Sequence, residues 1–167
     1  MSRIAAAVIA AIALASAGVA DACSCVPYHP QAEADRAGEE IWRNATLIVE
    51  ATVGDTSAAY KALCPAPGTL PPARTIGRTM NADRPFTVHR VFKGRAPARP
   101  VLAGAKTEVY AQGCGVMVNS CEVGIETGSR TILVLNRTKD GRFEMMSYCG
   151  LMALRQSTRG GALFGAM

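Results

Sequence analysis

Six cysteines carry most of the chemistry legible in this chain. They stand at positions 23, 25, 64, 114, 121 and 149 of 167 residues. Each thiol can pair with another or ligate a metal, and the spacing speaks for pairing. A structural zinc site draws four ligands, typically from paired C-x-x-C or clustered histidines. Here the closest pair is Cys23-x-Cys25, and the two histidines, His29 and His89, lie far apart. A redox role for that pair would need a neighbouring lysine or histidine to lower a thiol pKa, and none stands beside it. Three disulfides are expected, and six cysteines allow 15 connectivities. Each bridge stabilises by roughly 2–4 kcal/mol, chiefly by restricting the unfolded chain. No nucleophile–histidine–carboxylate pattern and no phosphate-binding loop accompany the cysteines. An enzyme is therefore not the expectation, and no cofactor of the chain's own is implied.

Disulfides need an oxidising compartment, and the front of the chain supplies an export signal. Met1–Arg3 carries one positive charge, Ile4 to Ala15 is unbroken and apolar, and Ala20-Asp21-Ala22 ends the segment. Residues 1–22 read as a secretory signal peptide. A membrane-spanning helix takes about 20 apolar residues, and Ser16, Gly18 and Asp21 interrupt this run. The expected location is secreted, extracellular or periplasmic. The competing reading is a lipoprotein acylated at Cys23, although Ala20 and Asp21 depart from the usual lipoprotein signal.

Without the signal, 145 residues remain that are about 45% apolar, the level of an ordinary globular domain. The net charge of +5 is spread over arginines and lysines such as Arg74, Arg78, Arg90, Lys93 and Arg99, which reads as a solvated face. Disorder, collagen-like repeats and a multi-span membrane protein are excluded. One domain is expected over residues 23–155, with 156–167 as a frayed tail.

The elements follow from local pattern. Gln31 to Arg43 reads as a short helix ending on Ile41 and Trp42, and Leu151 to Arg159 as another. Strands are expected over Thr46–Val53, Phe86–Phe92, Val101–Tyr110, Arg130–Leu135 and Phe143–Met146. Lys93-Gly94 turns the second strand, and Asp140-Gly141 marks a two-residue hairpin. Four prolines between Asp55 and Arg78 make that stretch mostly loop. His29 and His89 read as structural, and Trp42, Met145, Met146 and Met152 as packing. Asn44-Ala-Thr46 and Asn136-Arg-Thr138 fit glycosylation patterns but read as unmodified strand neighbours. The expected fold is mainly β: a closed, five-stranded barrel like the oligonucleotide/oligosaccharide-binding fold, flanked by short helices and stapled by disulfides.

The mature start reads Cys23-Ser24-Cys25-Val26-Pro27-Tyr28-His29-Pro30-Gln31. This strongly resembles the opening C-[ST]-C-x-P-x-H-P-Q of the tissue inhibitors of metalloproteinases. Downstream, Thr46 to Gly54 looks like that family's first strand and Phe86 to Gly94 like its second, with the closing aromatic-Lys-Gly. Gly113-Cys114-Gly115 is similar to its later C-G, and Gly128 to Cys149 to its closing strands and cysteine. The resemblance touches most of residues 23–150 and implies a netrin-like inhibitory domain. There are departures. The family's third early cysteine has no counterpart, Ala34 and Asp35 occupying that region. The stretch from Gln31 to Asn44 is longer, and no cysteine-rich second half follows.

The resemblance implies pairs Cys23–Cys114 and Cys25–Cys149, which leaves Cys64 with Cys121. It also implies a mechanism. Cleavage after Ala22 gives Cys23 a free α-amine, which with the Cys23 carbonyl can chelate the open position of a protease's catalytic zinc. Ser24 would enter the first specificity pocket, and Val26 and Pro27 would continue along the substrate groove. Gly113, Cys114 and Gly115, tied through Cys114, would form the neighbouring edge. The implied function is a secreted inhibitor of zinc metalloendopeptidases, acting as a monomer, contacting the partner's zinc through Cys23. The alternative is an exported barrel module without inhibitory role. Nucleic acid is not expected as a partner because export and sparse aromatics argue against it. Nor is a membrane, unless Cys23 is lipidated.

Overall fold

The computed structural model describes residues 25, 27–64, 69–111, 113–116 and 125–165. The elements are helix α1 (Gln31–Asn44), strand β1 (Leu47–Val53), helix α2 (Ala58–Leu63), a 3-10 turn (Ala73–Thr75), and strands β2 (Thr79–Asn81) and β3 (Arg84–Lys93). Then follow β4 (Val101–Leu102), β5 (Lys106–Tyr110), β6 (Gly113–Val116), β7 (Arg130–Arg137), β8 (Phe143–Met145), α3 (Tyr148–Gln156) and α4 (Thr158–Phe164).

Five strands close a barrel in the order β1-β3-β4-β8-β7. All neighbours are antiparallel except β4 and β8, which run parallel at Leu102 and Phe143. Counted within the barrel, the order is first, second, third, fifth, fourth. The expected mainly β, five-stranded, disulfide-stapled barrel with short flanking helices is what the chain forms.

Residue pattern explains the two-layered core. On β1, Leu47, Val49, Ala51 and Val53 point into the barrel with Phe86, Leu133, Leu135 and Phe143. The rings of Phe86 and Phe143 meet edge to face, 6.0 Å between centroids. The alternate residues Ile48, Ile132 and Val134 point outward, yet they too are buried, under Leu151, Leu154 and Leu163 of the helices. This is why Leu47-Ile48-Val49 and Ile132 to Leu135 are continuous apolar runs: both faces of those segments are covered. Past Val49, Glu50 and Thr52 turn outward half-exposed, and the alternation becomes clean.

Two glycines are required by the turns they make. Gly94 has φ +81° and lies so close to the Thr46 carbonyl that a Cβ would overlap it. Gly141 (φ +86°) sits in the β7–β8 hairpin, where Thr138 N–H donates to the Arg142 carbonyl at 2.9 Å. The hairpin falls where Asp140-Gly141 places it, but its loop is longer than two residues because Arg137 pairs with Phe143.

Several expectations need correction. Val101–Tyr110 is not one strand. β4 belongs to the barrel, whereas β5 joins a second, three-stranded sheet, β2-β5-β6. The break comes at Gly104, whose missing side chain lets the chain press against the backbone of Ala82. Within the expected loop from Asp55 to Arg78, α2 forms because the Ser57 hydroxyl caps it by accepting from Tyr60 N–H at 3.2 Å. The tail expected to fray from residue 156 is ordered instead over Thr158–Phe164. Buried Ser157 caps α4 by accepting from Gly160 N–H at 3.0 Å, and Leu163 is buried against the outer core layer.

Candidate functional site

The candidate site starts at Cys25. Residues 1–24, Val26 and Cys121 lie outside the described residues. The expectations for the signal peptide, for Cys23, Ser24 and Val26, and for any bridge of Cys121 therefore fall there. Cys25 is half-buried and bonded to Cys149, with Cα atoms 5.2 Å apart, as expected. Pro27, Tyr28, His29 and Pro30 follow as an exposed strap.

Helix α3 is the strap's anchor. Ser147 caps α3, its hydroxyl accepting from Gly150 N–H at 3.2 Å. Cys149 sits in the first turn, and Leu151 and Leu154 pin the helix to the outer core layer. From the other end, the Gln156 side-chain oxygen accepts from Tyr28 N–H at 3.2 Å, and the Gln156 carbonyl accepts from Gln31 Nε2 at 2.9 Å. The strap thus spans the helix from its first turn to its last. Between strap and helix lies an open cleft of about 470 Å³, lined by both bridged cysteines, Tyr28, His29, Met152 and Gln156 among others.

The positions that stand where the related pattern has a third early cysteine have found other partners. Ala34, on α1, is buried. Asp35 accepts from Thr158 N–H at 2.7 Å and from Gln31 Nε2 at 3.1 Å. The Thr158 bond, then the Gln31 bond, holds its carboxyl below the usual range. A hydrogen-bonded carboxylate ties α1 to the α3–α4 junction where a disulfide is absent.

The second bridge overturns two expected pairs. Cys64 bonds Cys114, Cα atoms 5.5 Å apart, so neither Cys23–Cys114 nor Cys64–Cys121 forms. The reason lies in how α2 docks. Its Tyr60 hydroxyl reaches Thr107 on β5 at 3.4 Å, and β5 pairs Val109 with Cys114 on β6. That seats Cys64, the C-cap of α2, over β6. Gly113, Cys114 and Gly115 form β6 of the second sheet, and Gly113 has φ +133°. The bridge that was to draw this edge to residue 23 is replaced by one that serves α2.

One polar cluster escaped the sequence. Arg142 in the β7–β8 hairpin donates from Nη1 to both oxygens of Asp83, at 2.7 and 2.8 Å, and from Nε to Asp140. Arg142, then Thr138, holds the Asp140 carboxyl down at about 2. Residues 59 apart in sequence meet here, and no local pattern announces it. His89 is exposed, its Nε2 2.8 Å from Thr52 Oγ1 on the neighbouring strand, a sheet contact. Trp42 packs half-buried on the outer core layer beneath the Arg159 guanidinium, 4.7 Å from the ring centre.

Fold and bridges together define a disulfide-stapled, five-stranded barrel with an anchored, exposed N-terminal strap. Two disulfides fit an oxidising, extracellular-type environment. Among the described residues no helix is long and apolar enough to cross a membrane. Comparison of the chain with protein-family models, with curated proteins and with solved structures gives no match.

Proposed function

We propose that the chain is an exported inhibitor of zinc endopeptidases, acting through the α-amine and carbonyl of Cys23 once the signal is cleaved after Ala22. The observation that supports it best is the Cys25–Cys149 bridge, which fixes the residue two places after Cys23 to a packed helix. Anchoring reduces the ordering that a chelating terminus must undergo on binding. An α-amine titrates near roughly 7.7–8.0, so a useful fraction is unprotonated at neutral pH and metal binding draws the remainder. Pro27 to His29 are exposed, as a strap entering a substrate groove requires. Because Cys114 pairs with Cys64, the inhibitory edge in this reading rests on the strap, and Cys114 does not tie β6 to Cys23.

Assays against a panel of zinc endopeptidases test this directly. Protein beginning at Cys23 inhibits, and the same protein with one alanine inserted before Cys23 does not. Equal inhibition by both, or by neither, overturns the proposal.

The Cys64–Cys114 bridge favours a second reading, since it departs from the pairing that the inhibitor family implies. In that reading the bridges only staple an exported binding module. Acylation of Cys23 would require it, because an acylated amine cannot chelate zinc. The mass of the native N-terminal peptide separates the two.

A further inference from the structure

The two described disulfides differ in what surrounds them. Cys64 closes α2 at its carbonyl end, and Cys114 lies in a paired strand. Cys25–Cys149 lines the open cleft of about 470 Å³ under the strap. Cys149 is the second residue of the nine-residue helix α3, inside a first turn organised by Ser147. Backbone N–H groups of such a turn have no intrahelical acceptor and face whatever negative charge develops there.

We infer that Cys25–Cys149 is a thiol–disulfide exchange site, opened by a dithiol entering the cleft. One thiolate of the dithiol attacks Cys25 Sγ, and the S–S bond breaks toward Cys149. Cys149 leaves as a thiolate at the helix N-terminus, the better leaving group of the two sulfurs. The reductant's second thiol then displaces Cys25, which takes up a proton. Two electrons pass from the dithiol, which ends as a disulfide, to the protein, which ends with two thiols. Glu33 is the acidic group in the lining, so an uncharged dithiol is better suited than an anionic one.

Opening the bridge removes the strap's covalent tie to α3. Among the described residues, what then holds its start is the Tyr28 N–H bond to Gln156 and the Gln31 bond to the Gln156 carbonyl, each a modest contact. If the proposed inhibition holds, reduction would switch it off. That consequence rests on the proposed function, but the exchange chemistry does not.

The test uses the whole mature protein, limiting dithiothreitol, quenching with iodoacetamide, and peptide mass analysis. Cys25 and Cys149 should be alkylated roughly tenfold sooner than Cys64 and Cys114, the order expected from leaving-group acidity, with Cys149 in a helix's first turn and Cys64 at a helix's carbonyl end. Simultaneous labelling of all four, prior labelling of Cys64 and Cys114, or no labelling short of unfolding overturns the inference. Hydrogen exchange at Tyr28 N–H should rise on reduction and in a C25S/C149S variant, while the buried β5 residue Thr107 stays protected. An unchanged Tyr28 amide overturns the strap release. Should the labelling order hold while the protein inhibits no protease in either state, the inhibitory reading fails and the exchange site stands.

Discussion

Lys93 Nζ donates to the Arg43 carbonyl at 2.7 Å, and also to that of Trp42, so the last residue of β3 closes the last turn of α1. A cation there satisfies carbonyls that lack intrahelical donors and complements the helix's negative end. Gly94 then turns the chain against Thr46, which begins the path into β1. The aromatic-Lys-Gly feature noted in the sequence is thus a joint between helix layer and barrel. Lys93→Met should lower stability by about 1–2 kcal/mol, the range for a partly buried charge at a helix end. Urea unfolding of the two proteins measures it, and an unchanged midpoint would contradict the capping role.

Helix α1 crosses the α3–α4 junction at Gly38, where a Cβ would overlap the side chain of Ser157. Ser157 cannot easily move, since it is buried and its hydroxyl donates to the Leu154 carbonyl at 2.7 Å. Gly38→Ala normally strengthens a helix by up to about 1 kcal/mol. Here overpacking should outweigh that gain, for a net loss of roughly 1–3 kcal/mol and a lower Tm. A variant with Tm equal to or above the parent would show that the junction yields.

The β runs were legible because burial on both faces writes continuous apolar stretches at Leu47-Ile48-Val49 and Ile132 to Leu135. The Gln31 helix and the Asp140-Gly141 turn were legible for equally local reasons. The second sheet was not. β2 has three residues, and β6 is Gly-Cys-Gly-Val, too short and too glycine-rich to show a period. The tail misled because chain ends commonly fray, whereas here Gly160 fits against the Leu154 backbone where no side chain would. Of the candidate site, the strap's motif stood in the sequence and so did its anchor Cys149. The partner of Cys114 did not, because it depends on how Tyr60 seats α2 on β5.

Asp140 gives the fold an acid-sensitive joint. Its carboxyl is held at about 2 against an ordinary 3.8, first by Arg142 and then by Thr138. A depressed carboxylate contributes stability that is fully present above the unfolded pKa and lost as pH falls through the folded one. Its contribution should therefore fade between about pH 4 and pH 2. In Asp140→Asn the acid side of the stability–pH curve should be flatter in that window, with Arg142 Nη1 still bonded to Asp83. Parallel curves from pH 5 to 2 would remove Asp140 from the acid response.

The bridge pattern itself is open to direct measurement. Digestion without reduction should yield one peptide pair joined through Cys25 and Cys149 and another through Cys64 and Cys114. The first closes a loop of sequence separation 124 and the second one of 50. By loop entropy alone both stabilise substantially, the longer by about 0.8 kcal/mol more. Their removal should nonetheless have different consequences. C64S/C114S loosens α2 and the edge strand β6, leaving the barrel's Phe86–Phe143 core untouched, so cooperative unfolding persists at a lower midpoint. C25S/C149S removes the strap's covalent tie to a helix that Leu151 and Leu154 still hold in place, so barrel unfolding shifts while Tyr28 becomes more readily cleaved. Limited chymotrypsin digestion reads this difference. Early cleavage after Tyr28 in the C64S/C114S protein, and not in C25S/C149S, would assign the strap to the wrong bridge.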